Sequence, residues 1–170
     1  CIVIPKDMVF GIYWENTKGH RTDLDLSLIS IDSKYGWDGS YRDDDRTILF
    51  SGDVTNAPKP HGASELFYIK KQTSNAFLMV VNFYNHEEDL DVPIKIFIAH
   101  EQITDMKQNY VVDPNNIRAT AETKINQKQK ILGLVTVEEE ECRFYFSEVY
   151  FGRSISSSSS PFAENALKYL

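Results

Sequence analysis

The feature that most narrows the fold is the strict alternation Thr22-Asp23-Leu24-Asp25-Leu26-Ser27-Leu28. A period of two is the repeat of an extended strand. It places Asp23, Asp25 and Ser27 on one face and Leu24, Leu26 and Leu28 on the other. The leucine face has to be buried against a second layer. After Leu28 the phase slips, with Ile29 and Ile31 apolar and Ser30 and Asp32 polar. That slip predicts a bulge, or a strand passing deeper into the core.

Most of the remaining chain also reads as strands and turns. Met8–Trp14, Thr47–Phe50, Leu66–Ile69 and Ile94–Ala99 are short apolar or β-branched runs. Phe77–Tyr84 is almost wholly apolar and predicts a central strand buried on both faces. Pro93 opens the run to Ala99, a place where proline is tolerated. Ile131–Val137 and Arg143–Phe146 predict a hairpin closed by Glu138–Glu141, with the pattern running on toward Phe151. Turn signals fall at 35–39, 56–62 and 113–116. Residues 101–130 are polar and poorly periodic, and predict loop with one strand near Tyr110–Val112. Short strands at this spacing predict an all-β, antiparallel β-sandwich. The Ser156–Ser160 tract has linker composition, and Pro161–Leu170 predicts a short C-terminal helix with Ser160 as its cap. The expected division is a sandwich over 1–152 and a serine-rich linker with helix over 153–170. A start on Cys1 and an end in linker-like sequence predict a piece of a longer, multidomain chain.

Charge and motifs exclude several functions. The chain has 170 residues, with 18 Lys and Arg against 25 Asp and Glu, a net charge of -7. A phosphate-backbone surface needs clustered cations, so nucleic acid is not the expected partner. No apolar run is long enough to span a membrane. Two cysteines, Cys1 and Cys142, do not make a disulfide framework, and there is no N-x-[ST] acceptor; both point to reduced thiols in the cytoplasm. Ser51 sits in F-S-G-D rather than G-x-S-x-G, and neither a P-loop nor a G-x-G-x-x-G stretch occurs. The four histidines lack zinc-ligand spacing, and Asp43-Asp44-Asp45 lacks the spacing of an EF-hand loop. The expectation is a protein that is not an enzyme.

The acidic face is the exception to this plain picture. Aspartate is a poor strand former, and Asp23 and Asp25 on one face repel each other. The arrangement is tolerable on a solvated face, or where the carboxylates share a cation or a set of donors. A second segment, Phe50-Ser51-Gly52-Asp53-Val54-Thr55, ends a strand in a glycine turn and an aspartate. Gly62-Ala63-Ser64-Glu65 then leads into the next strand, across a loop stiffened by Pro58 and Pro60. Glycine permits close backbone approach, and exposed carbonyls suit a hard cation.

Together, Asp23-Leu24-Asp25-Leu26-Ser27, Ser51-Gly52-Asp53 and Gly62-Ala63-Ser64-Glu65 resemble the TerD-like tellurium-resistance and stress-response domain. Ile4-Pro5-Lys6, Tyr13-Trp14 and Val81-Asn82-Phe83-Tyr84 extend the likeness over about residues 4–152. The resemblance implies a β-sandwich binding Ca²⁺ through Asp23, Asp25, Asp53 and Glu65, with oxygens from Gly52 and Thr55 as additions. The 56–65 loop departs from the tellurium-resistance members, keeping the single carboxylate Glu65 and gaining Lys59; this is the pattern of a divergent branch found in multidomain bacterial proteins. Two functions follow as expectations. One is a non-catalytic calcium-binding module presenting a surface to a protein partner in a bacterial stress-response system. The other is a metal-free protein-interaction module of a larger chain, its acidic cluster held by hydrogen bonds with Asp25 and Asp53 accepting backbone N–H groups. A lectin-like sandwich, with Ca²⁺ orienting a sugar, is a third.

Overall fold

The alternating and apolar runs form eleven strands in a computed structural model that describes residues 1–70 and 74–147. They are β1 (Ile2–Pro5), β2 (Met8–Trp14), β3 (Leu24–Ile29), β4 (Lys34–Gly36), β5 (Ile48–Phe50), β6 (Ala63–Ile69), β7 (Asn75–Phe83), β8 (Val92–His100), β9 (Ile117–Ile125), β10 (Gln129–Val137) and β11 (Glu141–Phe146). One sheet has the order β1-β11-β10-β7-β3-β4 and the other β5-β6-β2-β8-β9. Every pairing is antiparallel. The two sheets make the sandwich that the strand spacing predicts. The leucines of β3 and Phe77, Met79, Val81 and Phe83 of β7 face Phe10, Ile12, Phe67, Ile94, Ile96 and Ile98 of the opposite sheet. Phe10 joins the layers, its ring 5.9 Å from Phe67 and 5.8 Å from Phe144.

β7 lies between β10 and β3, and its run Phe77–Val81 is buried on both faces, as a continuous apolar strand should be. The β10–β11 hairpin also forms, with Glu138–Glu140 exposed at its tip. Pro93 is the second residue of β8, and its ring faces solvent.

Three expectations need correction. The phase slip after Leu28 is neither a bulge nor a deeper strand. β3 stops at Ile29, the Ser30 hydroxyl donates to the Asp32 carboxylate at 2.8 Å, and the Ser30 N–H reaches the Ser33 carbonyl at 2.8 Å. The chain turns there, and Ile31 is 77% exposed. Second, Tyr35-Gly36, expected as turn, belongs to strand β4. Third, residues 101–130 hold the nine-residue strand β9, and Tyr110–Val112 is not a strand. β9 uses Ala119, Ala121 and Thr123 where large apolar residues would have announced it. The expected C-terminal helix, the serine tract and any extension to Phe151 lie outside the described residues.

Residues 101–116 instead form a strap across the outer face of the five-stranded sheet. Ile103, Met106, Tyr110 and Val112 cover Val9, Leu66, Tyr68 and Ala99 in a second apolar cluster. Glu101 fastens the strap by accepting the Tyr110 hydroxyl at 2.8 Å, the Asp113 N–H at 2.9 Å and the Asn116 amide at 2.9 Å. Both cysteines are free, Cys1 exposed and Cys142 buried. No helix among the described residues is long and apolar enough to cross a membrane.

Gly11 on β2 leaves no room for a side chain beside β6. A Cβ there would lie 2.2 Å from the Glu65 carbonyl oxygen and 2.9 Å from the Leu66 Cα. Because these are backbone atoms, Gly11→Ala must push β2 and β6 apart. We expect a loss of about 2 kcal/mol in urea denaturation, within the usual range for overpacking.

Candidate metal centre

The acidic centre sits at an open edge of β3. β7 pairs the whole of β3, but β4 pairs only Ser27–Ile29. The other edge at Asp23–Leu26 therefore meets the loop after β5 and the start of β6. Glu65 makes the junction. One of its oxygens accepts the Leu26 N–H at 2.7 Å and the other accepts the Val54 N–H at 2.9 Å. Glu65 thus satisfies an orphan edge amide of one sheet while holding the 51–55 loop of the other.

The rest of the loop is fixed by its own small residues. The Ser51 hydroxyl accepts the Leu66 N–H at 2.9 Å. Gly52 has φ +106°, outside the range comfortable for side chains, and there the chain swings Asp53 toward β3. The Gln108 amide from the strap donates to the Asp53 carbonyl at 2.6 Å. Asn16 ties the β2–β3 connection to the same loop, its side-chain oxygen accepting the N–H groups of Thr22 at 2.9 Å and Ala57 at 3.1 Å. The Trp14 indole donates to the Thr22 carbonyl at 2.9 Å, next to Asp23.

The consequence is that Asp23, Asp25 and Asp53 converge. One carboxylate oxygen from each lies within 4.8 Å of the other two. Asp23 is 4% exposed and Asp25 2%, so neither belongs to a solvated face. Trp37, just after β4, and Tyr84, just after β7, meet edge to face at 5.9 Å. Since β3 lies between those strands, their contact passes over it.

Electrostatics make the cluster costly on its own. Asp23 is pushed up to about 6, by burial first and by the Asp53 charge second, while Arg21 at 3.9 Å pulls it down. Asp25 is pushed up to about 7 by burial and by the charges of Asp23 and Asp53, with Asn82 opposing. The nearness of the Asp53 carboxyl adds to that rise. Burial raises Glu65 well above the usual carboxylate range, and its two amide bonds pull the other way. Asp23 Oδ1, Asp25 Oδ2 and Asp53 Oδ1 are buried with no hydrogen-bond partner.

Buried acceptors are satisfied in nearly all native structures, so three converging carboxylates that each leave a buried oxygen orphaned call for a positive group. A hard cation with oxygens at about 2.3–2.6 Å spans about 4.6–5.2 Å between opposite ligands, which the cluster matches. The three aspartates fit such an ion. Glu65, expected beside them as a ligand, lies against the cluster with both oxygens on backbone amides. Thr55 is exposed. The alternative expectation, Asp25 and Asp53 accepting backbone N–H groups, does not describe this site, because Glu65 is the carboxylate that accepts them.

Sequence reasoning missed Asn82, Asn16 and Gln108. Asn82 stands directly opposite Asp25 in the β3–β7 register. An amide inside the apolar run Phe77–Tyr84 was the available signal. Asn16 and Gln108 sit in polar loops, where nothing distinguishes them from solvated residues.

Neither a protein-family model nor a curated protein matches the chain.

Proposed function

We propose that this chain is a non-catalytic calcium-binding β-sandwich module of the TerD-like class, acting through protein partners in a stress-response system. The observation that carries the reading is the convergence of three carboxylates, Asp23, Asp25 and Asp53, each of which also buries one oxygen without a hydrogen-bond partner. The motif resemblance adds the family, and implies these three residues together with Glu65 as metal ligands. Asp23 and Asp25 come from a strand clamped by β7, whereas Asp53 comes from a loop. Glu65, Gln108 and Asn16 hold that loop in register, so the site is a fastening between the two sheets. A bound Ca²⁺ would supply the positive charge that the buried carboxylates lack. Without it, burial and mutual repulsion favour the protonated form of Asp23 and of Asp25.

Thermal unfolding in EDTA and in millimolar Ca²⁺ tests this reading. A ligand specific to the folded state at about 100 times its Kd stabilises by about 2.7 kcal/mol, or about 5–10 °C for a chain of this size. Asp25→Asn should abolish that shift and also raise the melting point in EDTA, because it removes one of the repelling charges. A calcium response that survives in Asp25→Asn would overturn the assignment of the site. No response in the wild type would leave the metal-free interaction module.

A further inference from the structure

The strap leaves one end of the outer face of the five-stranded sheet uncovered. A cleft of about 670 Å³ opens there, within the size range of small-molecule sites. Four lysines from four separate segments converge on it. Lys18 comes from the β2–β3 connection and Lys59 from the β5–β6 loop, while Lys95 projects from β8 and Lys124 from β9. In a chain with net charge -7 this is a local reversal of sign. Among the described residues none of the four forms an ion pair. The cleft holds two carboxylates. Glu15 faces the Tyr13 hydroxyl, and Glu122, opposite Lys95 in the strand register, forms no ion pair with it.

The walls of the cleft are fixed. Tyr13 is held against Gly62, where a Cβ would come within 2.7 Å of its ring, and Gly62 has φ +65°. Asn16 ties the loop of Lys18 to the loop of Lys59 through its hydrogen bonds to Thr22 and Ala57, and through its backbone N–H, which donates to the Ala57 carbonyl at 2.7 Å. Lysine ammonium groups are mobile point charges without the fork of arginine, and suit a ligand whose negative charge is spread along several oxygens.

We propose that this cleft binds a small molecule bearing a phosphate chain, held between Lys18 and Lys59 on one side and Lys95 and Lys124 on the other. The site is separate from the aspartate cluster and does not depend on a metal there.

Isothermal titration with inorganic triphosphate, in EDTA and low salt, reads the proposal directly. Saturable one-to-one binding is expected. The double variant Lys59→Glu/Lys124→Glu should weaken it at least about tenfold, since charge-assisted contacts contribute more than one decade of affinity. Lys107→Glu, an equal kind of charge reversal on the exposed strap, should change it less than about twofold. Circular dichroism checks that the variants remain folded, as all these side chains are exposed. A parallel titration with ATP separates the two sources of the chain: tighter binding than triphosphate marks a nucleotide, equal binding an inorganic polyphosphate. No saturable binding, or equal weakening by Lys107→Glu, would overturn the site.

Discussion

Glu65→Ala is expected to destabilise the sandwich by about 3 kcal/mol, with or without calcium. The side chain is fully buried, and its two oxygens serve two amides, Leu26 on strand β3 of one sheet and Val54 in the loop after β5 of the other. Each orphaned buried N–H costs about 1–3 kcal/mol. Loss of the Glu65 charge relieves repulsion from Asp25 and Asp53 and returns part of that cost. Glu65→Gln separates the contributions. Its single carbonyl can serve one amide, while its NH₂ group faces the other donor, so an intermediate loss is expected. Urea denaturation gives the magnitude, and amide hydrogen exchange gives the place. Protection should fall first at Leu26 and Val54, ahead of the strands around β7. Unchanged exchange at both amides in Glu65→Ala would show that the carboxylate does not fasten the sheets.

This clamp also shows where sequence reading succeeds. The period of Thr22–Leu28 revealed both faces of β3, and the apolar run from Phe77 revealed the centre of its sheet, because bulk and alternation express burial directly. Asp23 and Asp25 were readable as candidates for the same reason, since a charge on a strand face is locally unfavourable and so conspicuous, whereas Asp53 was readable from its glycine turn. The role of Glu65 was not readable. Whether a carboxylate faces an ion or two amides is decided by the open edge of β3, which exists because β4 is only three residues long. Tertiary geometry of that kind leaves no periodic mark. β9 escaped for a related reason, since the inward positions through its middle are alanine and threonine. The lysine cleft escaped because its four members are spread from residue 18 to residue 124, each ordinary in its own surroundings.

In EDTA the protein should become less stable as the pH rises from about 4 to about 7. Asp25 titrates near 3.8 in an unfolded chain and at about 7 in the fold, and Asp23 at about 6, so the folded state binds more protons through this interval. A group whose folded pKa is raised contributes stability that is complete below its unfolded value and is lost as pH passes through its folded value. For Asp25 alone, the shift from 3.8 to about 7 corresponds to roughly 4 kcal/mol. Glu65 acts in the same direction, and Asp32, lowered by hydrogen bonds from Ser30 and Ser33, opposes it only at the acid end. Denaturation midpoints between pH 4 and pH 8 in EDTA measure the slope, and Asp25→Asn should flatten most of it. With calcium present the carboxylates are neutralised by the ion rather than by protons, so the slope should shrink in the wild type as well. Binding should then release about one proton near pH 6.5, visible as a calorimetric enthalpy that changes with the ionisation heat of the buffer. A metal-free stability that climbs toward pH 7 would mean that the three aspartates are not crowded together in the folded chain.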